Sequence, residues 1–184
     1  MKKTILISIA LLMFAGMSYG QKYITKNGMI KFYSETPMET IQAINKQVNC
    51  ALDTETGDIV FKVLIKGFEF EKALMQEHFN ENYMHSDEFP NSTFKGKITN
   101  MSNLDLSVET SYEVMVEGDL TIKGATRKVS EKGTLEMKEG KIMANAVFPV
   151  KLSDYEVKIP KAVVDNIAET VDITVDVVLD EYKK

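Results

Sequence analysis

The chain is short of the residues on which most site chemistry depends. Among its 184 residues it has one cysteine, two histidines and no tryptophan. One cysteine closes no intrachain disulfide, so packing alone must hold the fold. Cys50 alternates with Val48 and Leu52. That spacing puts it on the apolar side of a strand, as a buried and inert thiol. Prolines number four and glycines ten. Neither gathers into a linker, and no repeat or low-complexity stretch occurs. Basic charge is scarce too: the net charge is −5 and no basic cluster interrupts it. An acidic surface disfavours nucleic acid and anionic membrane surfaces as partners. No nucleophile elbow, phosphate-binding loop or dinucleotide fingerprint is present.

The N-terminus reads MKKTILISIALLMFAGMSYG. Lys2 and Lys3 form a basic start, Thr4 to Gly16 an apolar run, and Ser18 and Gly20 a small-residue cleavage pattern. This predicts a secretory signal peptide over residues 1–20 and a periplasmic or secreted protein of residues 21–184. No cysteine lies near the cut, so a lipid-anchored N-terminus is not expected. The leader holds two lysines and no acid, so its removal takes the net charge from −5 to −7. No later run is long and apolar enough for a stable membrane span.

The remaining chain is dominated by period-two alternation, the pattern of strands with one buried face. Ile30 and Phe32 alternate with Lys31 and Tyr33, after a candidate turn at Asn27–Gly28. Ile59, Phe61, Val63 and Ile65 follow the turn DTETGD. Further rows run through Phe94, Gly96 and Ile98, then from Tyr112 to Ile122. After a turn at Glu139–Gly140 they continue from Ile142 to Leu152, and a last row runs from Val171 to Leu179. About eight such strands with mostly short connections predict an antiparallel meander. Their length favours closure into a barrel, because closure leaves no exposed edge. The inward rows mix large residues (Phe32, Phe61, Phe94, Phe148) with small ones (Ser34, Gly96, Gly118, Ala144, Ala146). The small residues leave a hollow for an apolar guest, or interleave with the large ones to fill the barrel. Gly96 and Gly118 equally suit strand bends.

Residues 71–84 break the alternation. Leu74, Met75, His78 and Phe79 share one helical face, with Tyr83 one turn beyond Phe79. An amphipathic helix is therefore expected here, capping one end of the barrel. Both histidines, His78 and His85, fall in or just after it. Their spacing does not match a zinc-protease helix, which needs two histidines one turn apart with a glutamate after the first. His78 is read as packed and hydrogen-bonded at the barrel rim, or as touching a ligand head group there. A metal-assisted hydrolase using His78, His85 and a nearby acid is the less favoured alternative.

Three stretches resemble the YceI-like, polyisoprenoid-binding family of exported bacterial proteins. The first is His78–Phe79, Tyr83–Met84, Phe89–Pro90 and Phe94. The second is VEGDLTIKGATRKV, residues 116–129, with Gly118, Leu120, Thr121, Gly124 and Thr126 in the family's pattern and Lys128 displaced from it by one position, by Arg127. The third is FPVKLSDYEVKIP together with the closing strand, residues 148–179. The family's early segment is only loosely echoed by residues 30–53, which lack its histidine and glycine. Met75-Gln76 stands where the family often has Arg-Asp. The resemblance implies a lipocalin-like, eight-stranded antiparallel barrel with one short helix near its opening. It further implies a non-enzymatic protein that binds an isoprenoid-like or other amphiphilic lipid inside the barrel.

On this reading Phe32, Phe61, Leu74, His78, Phe79, Tyr83, Phe94, Val116, Leu120 and Phe148 are the candidate ligand-binding residues. Arg127 and Lys128 are candidates to meet an anionic head group, or form a solvated pair. No cofactor, metal or catalytic residue is expected, and a homodimer is left open. The competing function is a structural or interaction module of the envelope with a filled barrel.

Overall fold

The computed structural model describes residues 21–183. The predicted signal peptide lies outside the described residues. Nine strands form in chain order: β1 (Lys22–Glu35), β2 (Thr40–Asp53), β3 (Asp58–Leu64), β4 (Glu69–Phe70), β5 (Asn91–Ile98), β6 (Ser111–Ile122), β7 (Ala125–Lys138), β8 (Lys141–Lys151) and β9 (Thr170–Glu181). All pairings are antiparallel. Eight strands follow one another around the sheet, and β1 pairs with both β9 and β2, which closes the barrel. The ninth, β4, is two residues added to β2.

The turns follow from local chemistry. In the β2–β3 turn, Asp53 Oδ1 accepts the amides of Glu55 at 3.0 Å and Thr56 at 3.2 Å. The β6–β7 turn places Lys123 at φ 49° and Gly124 at φ 78°. Paired positive φ values match the twist of a tight hairpin. A side chain on Gly124 would also strike the Phe89 ring, 2.7 Å from its Cβ position. The Thr121 and Thr126 hydroxyls meet across this hairpin at 2.8 Å. Most of the motif in residues 116–129 is therefore hairpin architecture. Glu139–Gly140 makes the same kind of turn, at φ 50° and 74°. Asn27–Gly28 does not turn. It lies within β1 at a register shift against β2, where a Cβ on residue 28 would sit 2.5 Å from Val177 Cγ1.

Two places in the wall part. Pairing between β2 and β3 covers only Asn49↔Lys62 to Leu52↔Ile59. Beyond it, β4 takes the vacant edge of β2, and fully buried Asn45 donates to the Leu64 carbonyl at 2.8 Å. Asn45 Oδ1 accepts the Gln47 amide at 2.8 Å, so the buried amide is satisfied on both sides. Pairing between β7 and β8 stops at Gly133↔Ala146. Pro149 on β8 has no amide hydrogen to extend it. No strand fills that second parting; a short turn, Leu152–Tyr155, lies against β7 at its far end.

The buried residues fall into three clusters. The floor gathers Leu52, Ile98, Leu135, Ile142 and Leu179, roofed from below by Met101, Leu104 and Leu106 of the β5–β6 connection. A second cluster at the opposite end centres on Ile65, Met84, Val150, Tyr155 and Val171. The third joins Ile30, Val48, Val63 and Phe68 along one wall. Cys50 belongs to the floor, is 3% exposed, and burial pushes its thiol up to about 12. Among the described residues, no helix is long and apolar enough to cross a membrane.

Candidate functional site: the barrel hollow

Between floor and opposite end lies a hollow of about 410 Å³. It is walled chiefly by the inward rows of the strands, as alternation predicts. The barrel is thus not filled by its own side chains. Among the small inward residues, Ser34, Ala144 and Ala146 line the hollow. Gly96 and Gly118 do not. They face each other in register, and the Phe94 ring lies over both. A Cβ on Gly118 would sit 2.8 Å from Phe94 Cζ. These glycines make room for Phe94, not for a guest.

The helix closes the upper end in an unexpected way. The α-helical part, α1, spans only Ala73–His78 and widens into a π-turn, Phe79–Tyr83. The residues of this segment that line the hollow are Met75, His78, Phe79, Tyr83 and Met84. Leu74, one residue around the helix from Met75, is 61% exposed and does not line the hollow. The expected stripe is too wide by that residue. Phe79 docks among three rings. Its centroid lies 5.0 Å from Phe70, 5.5 Å from Phe32 in a stacked geometry, and 5.6 Å from Phe68.

The hollow reaches the surface between the β1–β2 turn, α1 and residues 163–167, where Glu39, His78 and Asn166 line it. Glu39 ties these pieces together. Its carboxylate accepts from Lys72 Nζ at 3.2 Å and from Asn166 Nδ2 at 3.2 Å. The Ser34 hydroxyl accepts the Ala168 amide at 2.9 Å and anchors the same segment. His78 is exposed at this mouth, and among the described residues its side chain makes no hydrogen bond. It is thus not the packed, hydrogen-bonded rim residue expected. His85 is exposed on the following turn, at φ 49°, and does not line the hollow. Among the described residues, no three His, Cys, Asp or Glu side chains converge as metal ligands.

Of the ten residues expected to bind a ligand, nine stand on the wall of the hollow: Phe32, Phe61, His78, Phe79, Tyr83, Phe94, Val116, Leu120 and Phe148. Sequence reading overlooked Phe68 and Phe70, although their alternation with Glu69 was a usable signal. It also overlooked Glu131, which keeps the period of Val129, Leu135 and Met137, and Glu39, Asn166 and Tyr155, for which no periodic signal exists. Lys128 points outward and pairs with Asp119 at 3.3 Å, its side chain 89% exposed. Arg127 Nη1 donates to the Thr126 carbonyl at 2.8 Å. Burial raises the Tyr83 and Tyr155 hydroxyls, which keeps both protonated and able to donate at neutral pH.

A closed eight-stranded barrel around an apolar hollow, with a short helix at its mouth, is a lipocalin-type binding barrel. The chain belongs to the family described as the YceI-like domain, whose model matches residues 25–179. Solved structures agree on the fold. A polyisoprenoid-binding domain from Saccharophagus degradans, implicated in plant cell wall breakdown, superposes with a TM-score of 0.77 at 11% identity. The match covers 89% of this chain and 100% of that one. BcnA of Burkholderia cenocepacia superposes with a TM-score of 0.67 at 16% identity, covering 83% and 95% of the two chains. The Campylobacter jejuni YceI protein gives a TM-score of 0.56 at 13% identity, over 76% and 84%. No curated protein matches the chain.

Proposed function

We propose that this protein is an exported, non-enzymatic carrier that holds an isoprenoid or similar amphiphilic lipid in its barrel. One observation weighs most: the wall leaves a hollow of about 410 Å³ lined almost throughout by aliphatic and aromatic side chains. Such a space is costly to fill with water and favourable to fill with hydrocarbon. Each methylene buried contributes roughly 0.8 kcal/mol. A chain of ten carbons inside the wall is then worth about 8 kcal/mol before the cost of association. The family and the polyisoprenoid-binding relative support the lipid class. The basic–apolar–small pattern of residues 1–20 supports export.

The test is native mass spectrometry on protein isolated gently from its own envelope, paired with uptake of a fluorescent prenyl probe. The reading predicts a co-purifying lipid at one per barrel and saturable uptake. It also predicts that Ala146→Phe, which plants a ring on the wall of the hollow, folds but binds the probe at least tenfold more weakly. Protein that is empty on isolation and takes up no probe would overturn it.

A further inference from the structure

The parting of β7 and β8 is the second weak place in the wall of the hollow. The β7–β8 ladder ends at Gly133↔Ala146. The residues next to that fork, Lys132 and Asn145, lie on the outer rows of the barrel, yet both line the hollow. At this fork the hollow therefore touches residues of both rows, not of the inward row alone. At the corresponding parting of β2 and β3, the gap is closed by β4 and by the Asn45 side chain. Here it is closed only at its far end, by the Leu152–Tyr155 turn. Val147, on the β8 side of the fork, is 65% exposed.

Away from the mouth at Glu39, His78 and Asn166, this parting carries a second group of polar residues, Glu131, Lys132, Thr134 and Asn145. Glu131 stands on the inward row of β7, opposite Val116, and lines the hollow. Among the described residues it has no ion pair and accepts no hydrogen bond. A carboxylate half-buried in an apolar wall without a partner is an acceptor held in reserve. Tyr155 is 4% exposed, and among the described residues its hydroxyl has no hydrogen-bond partner. Tyr155 lines the same hollow as Glu131, and its turn packs against β7.

We propose that the parting of β7 and β8 is a lateral portal, where Glu131 and the Tyr155 hydroxyl receive the uncharged, hydrogen-donating head of an amphiphile whose tail fills the barrel. The proposal rests on the lipid-carrier reading above. The chemistry selects the head. An ionised carboxylate only accepts, so it rewards a hydroxyl or amide and repels a phosphate. Neither nearby cation is an ion-pair partner of Glu131: Arg127 is bonded to the Thr126 carbonyl, and Lys132 lies on the outer row. The Tyr155 hydroxyl can accept from the head or donate to it.

Three probes with one tail test this: geranylgeraniol, its methyl ether and its monophosphate. The wild-type protein should bind the alcohol about tenfold more tightly than the ether, and the phosphate most weakly. In Glu131→Leu the alcohol and the ether should converge to within about twofold, with the affinity for the ether little changed. Equal binding of all three by the wild type, or an alcohol preference that survives in Glu131→Leu, would overturn the assignment. A photo-crosslinking head on the same tail gives an answer that needs no variant. Labels on residues 127–133 or 147–155 support the portal, and labels confined to Met75, His78 and their neighbours place the head at the other mouth and refute it. If no probe binds the wild type, the carrier reading itself fails and the portal falls with it.

Discussion

Replacing Phe79 with alanine should unfasten the lid from the barrel. The ring meets three others at 5.0, 5.5 and 5.6 Å. Each such pair contributes about 0.5–1.5 kcal/mol beyond burial. A Phe→Ala change in a closed core costs about 3–5 kcal/mol. Phe79 is half-buried and borders an existing hollow, so less new cavity is made. The expected loss is therefore about 3 kcal/mol, near the low end of that range. For a domain of this size that lowers Tm by roughly 6–12 °C. Urea denaturation followed by circular dichroism measures it, with Phe79→Leu as a control that keeps most of the burial and loses the ring contacts. The leucine variant should recover more than half of the loss. A loss below about 1 kcal/mol for alanine, against the 3–5 kcal/mol of core replacements, would mean that the four-ring cluster does not hold the helix.

Other consequences can be measured in the same preparations. Glu39→Ala removes both contacts of the mouth latch; because Lys72 is largely exposed, stability should change by no more than about 1 kcal/mol. Release of a bound prenyl probe should nevertheless quicken several-fold in stopped flow, and an unchanged rate would deny Glu39 that role. Gly118→Ala would bring a methyl against the Phe94 ring and the backbone of Gly96 and Lys95, an overpacking worth about 1–3 kcal/mol. Adding Phe94→Leu should not restore it, since the backbone contacts stay; full rescue in thermal melts would show that the ring alone is the obstacle. Cys50 should ignore a thiol reagent in the native state and react once unfolded. Its thiol holds its proton up to about 12 when folded, against an ordinary value of 9.0, so the native state binds more protons between those values. Stability should therefore fall as pH rises through that window, with burial of Tyr23 and Tyr83 acting in the same direction. A denaturation midpoint that holds steady or rises from pH 9 to pH 11 would contradict this.

The strands were legible because their signal is local and repeated. Val171, Ile173, Val175, Val177 and Leu179 keep the period over the whole of β9, and pairing then follows from order and short turns. Glu139–Gly140 announced its hairpin for the same reason. Asn27–Gly28 has identical turn chemistry but failed to turn, because residues 22–35 pair with neighbours on both sides and the strand absorbed the irregularity as a register shift. The helix was placed correctly and faced slightly wrong. Leu74, on the first turn of the helix, lies at the edge of the apolar stripe and faces out, which periodicity alone does not decide. The hollow was legible as one of two outcomes. Choosing between them needed coordinates, because Gly96 and Gly118 are occupied by Phe94 while Ala144 and Ala146 are not. The mouth was legible only in part: the helix and His78 were expected there, but Glu39 and Asn166 come from segments far apart in sequence.

The packed floor has a consequence for whatever the barrel holds. Leu52, Ile98, Leu135, Ile142 and Leu179 pack together beneath the hollow, with Met101 against them. Cargo cannot be threaded through from one end to the other. A tail that touches bottom must double back or leave its surplus outside, so the depth of the sleeve serves as a gauge of chain length. Deepening it by trimming Ile142 or Leu135 would be expected to move the preferred cargo toward longer chains, without touching either opening.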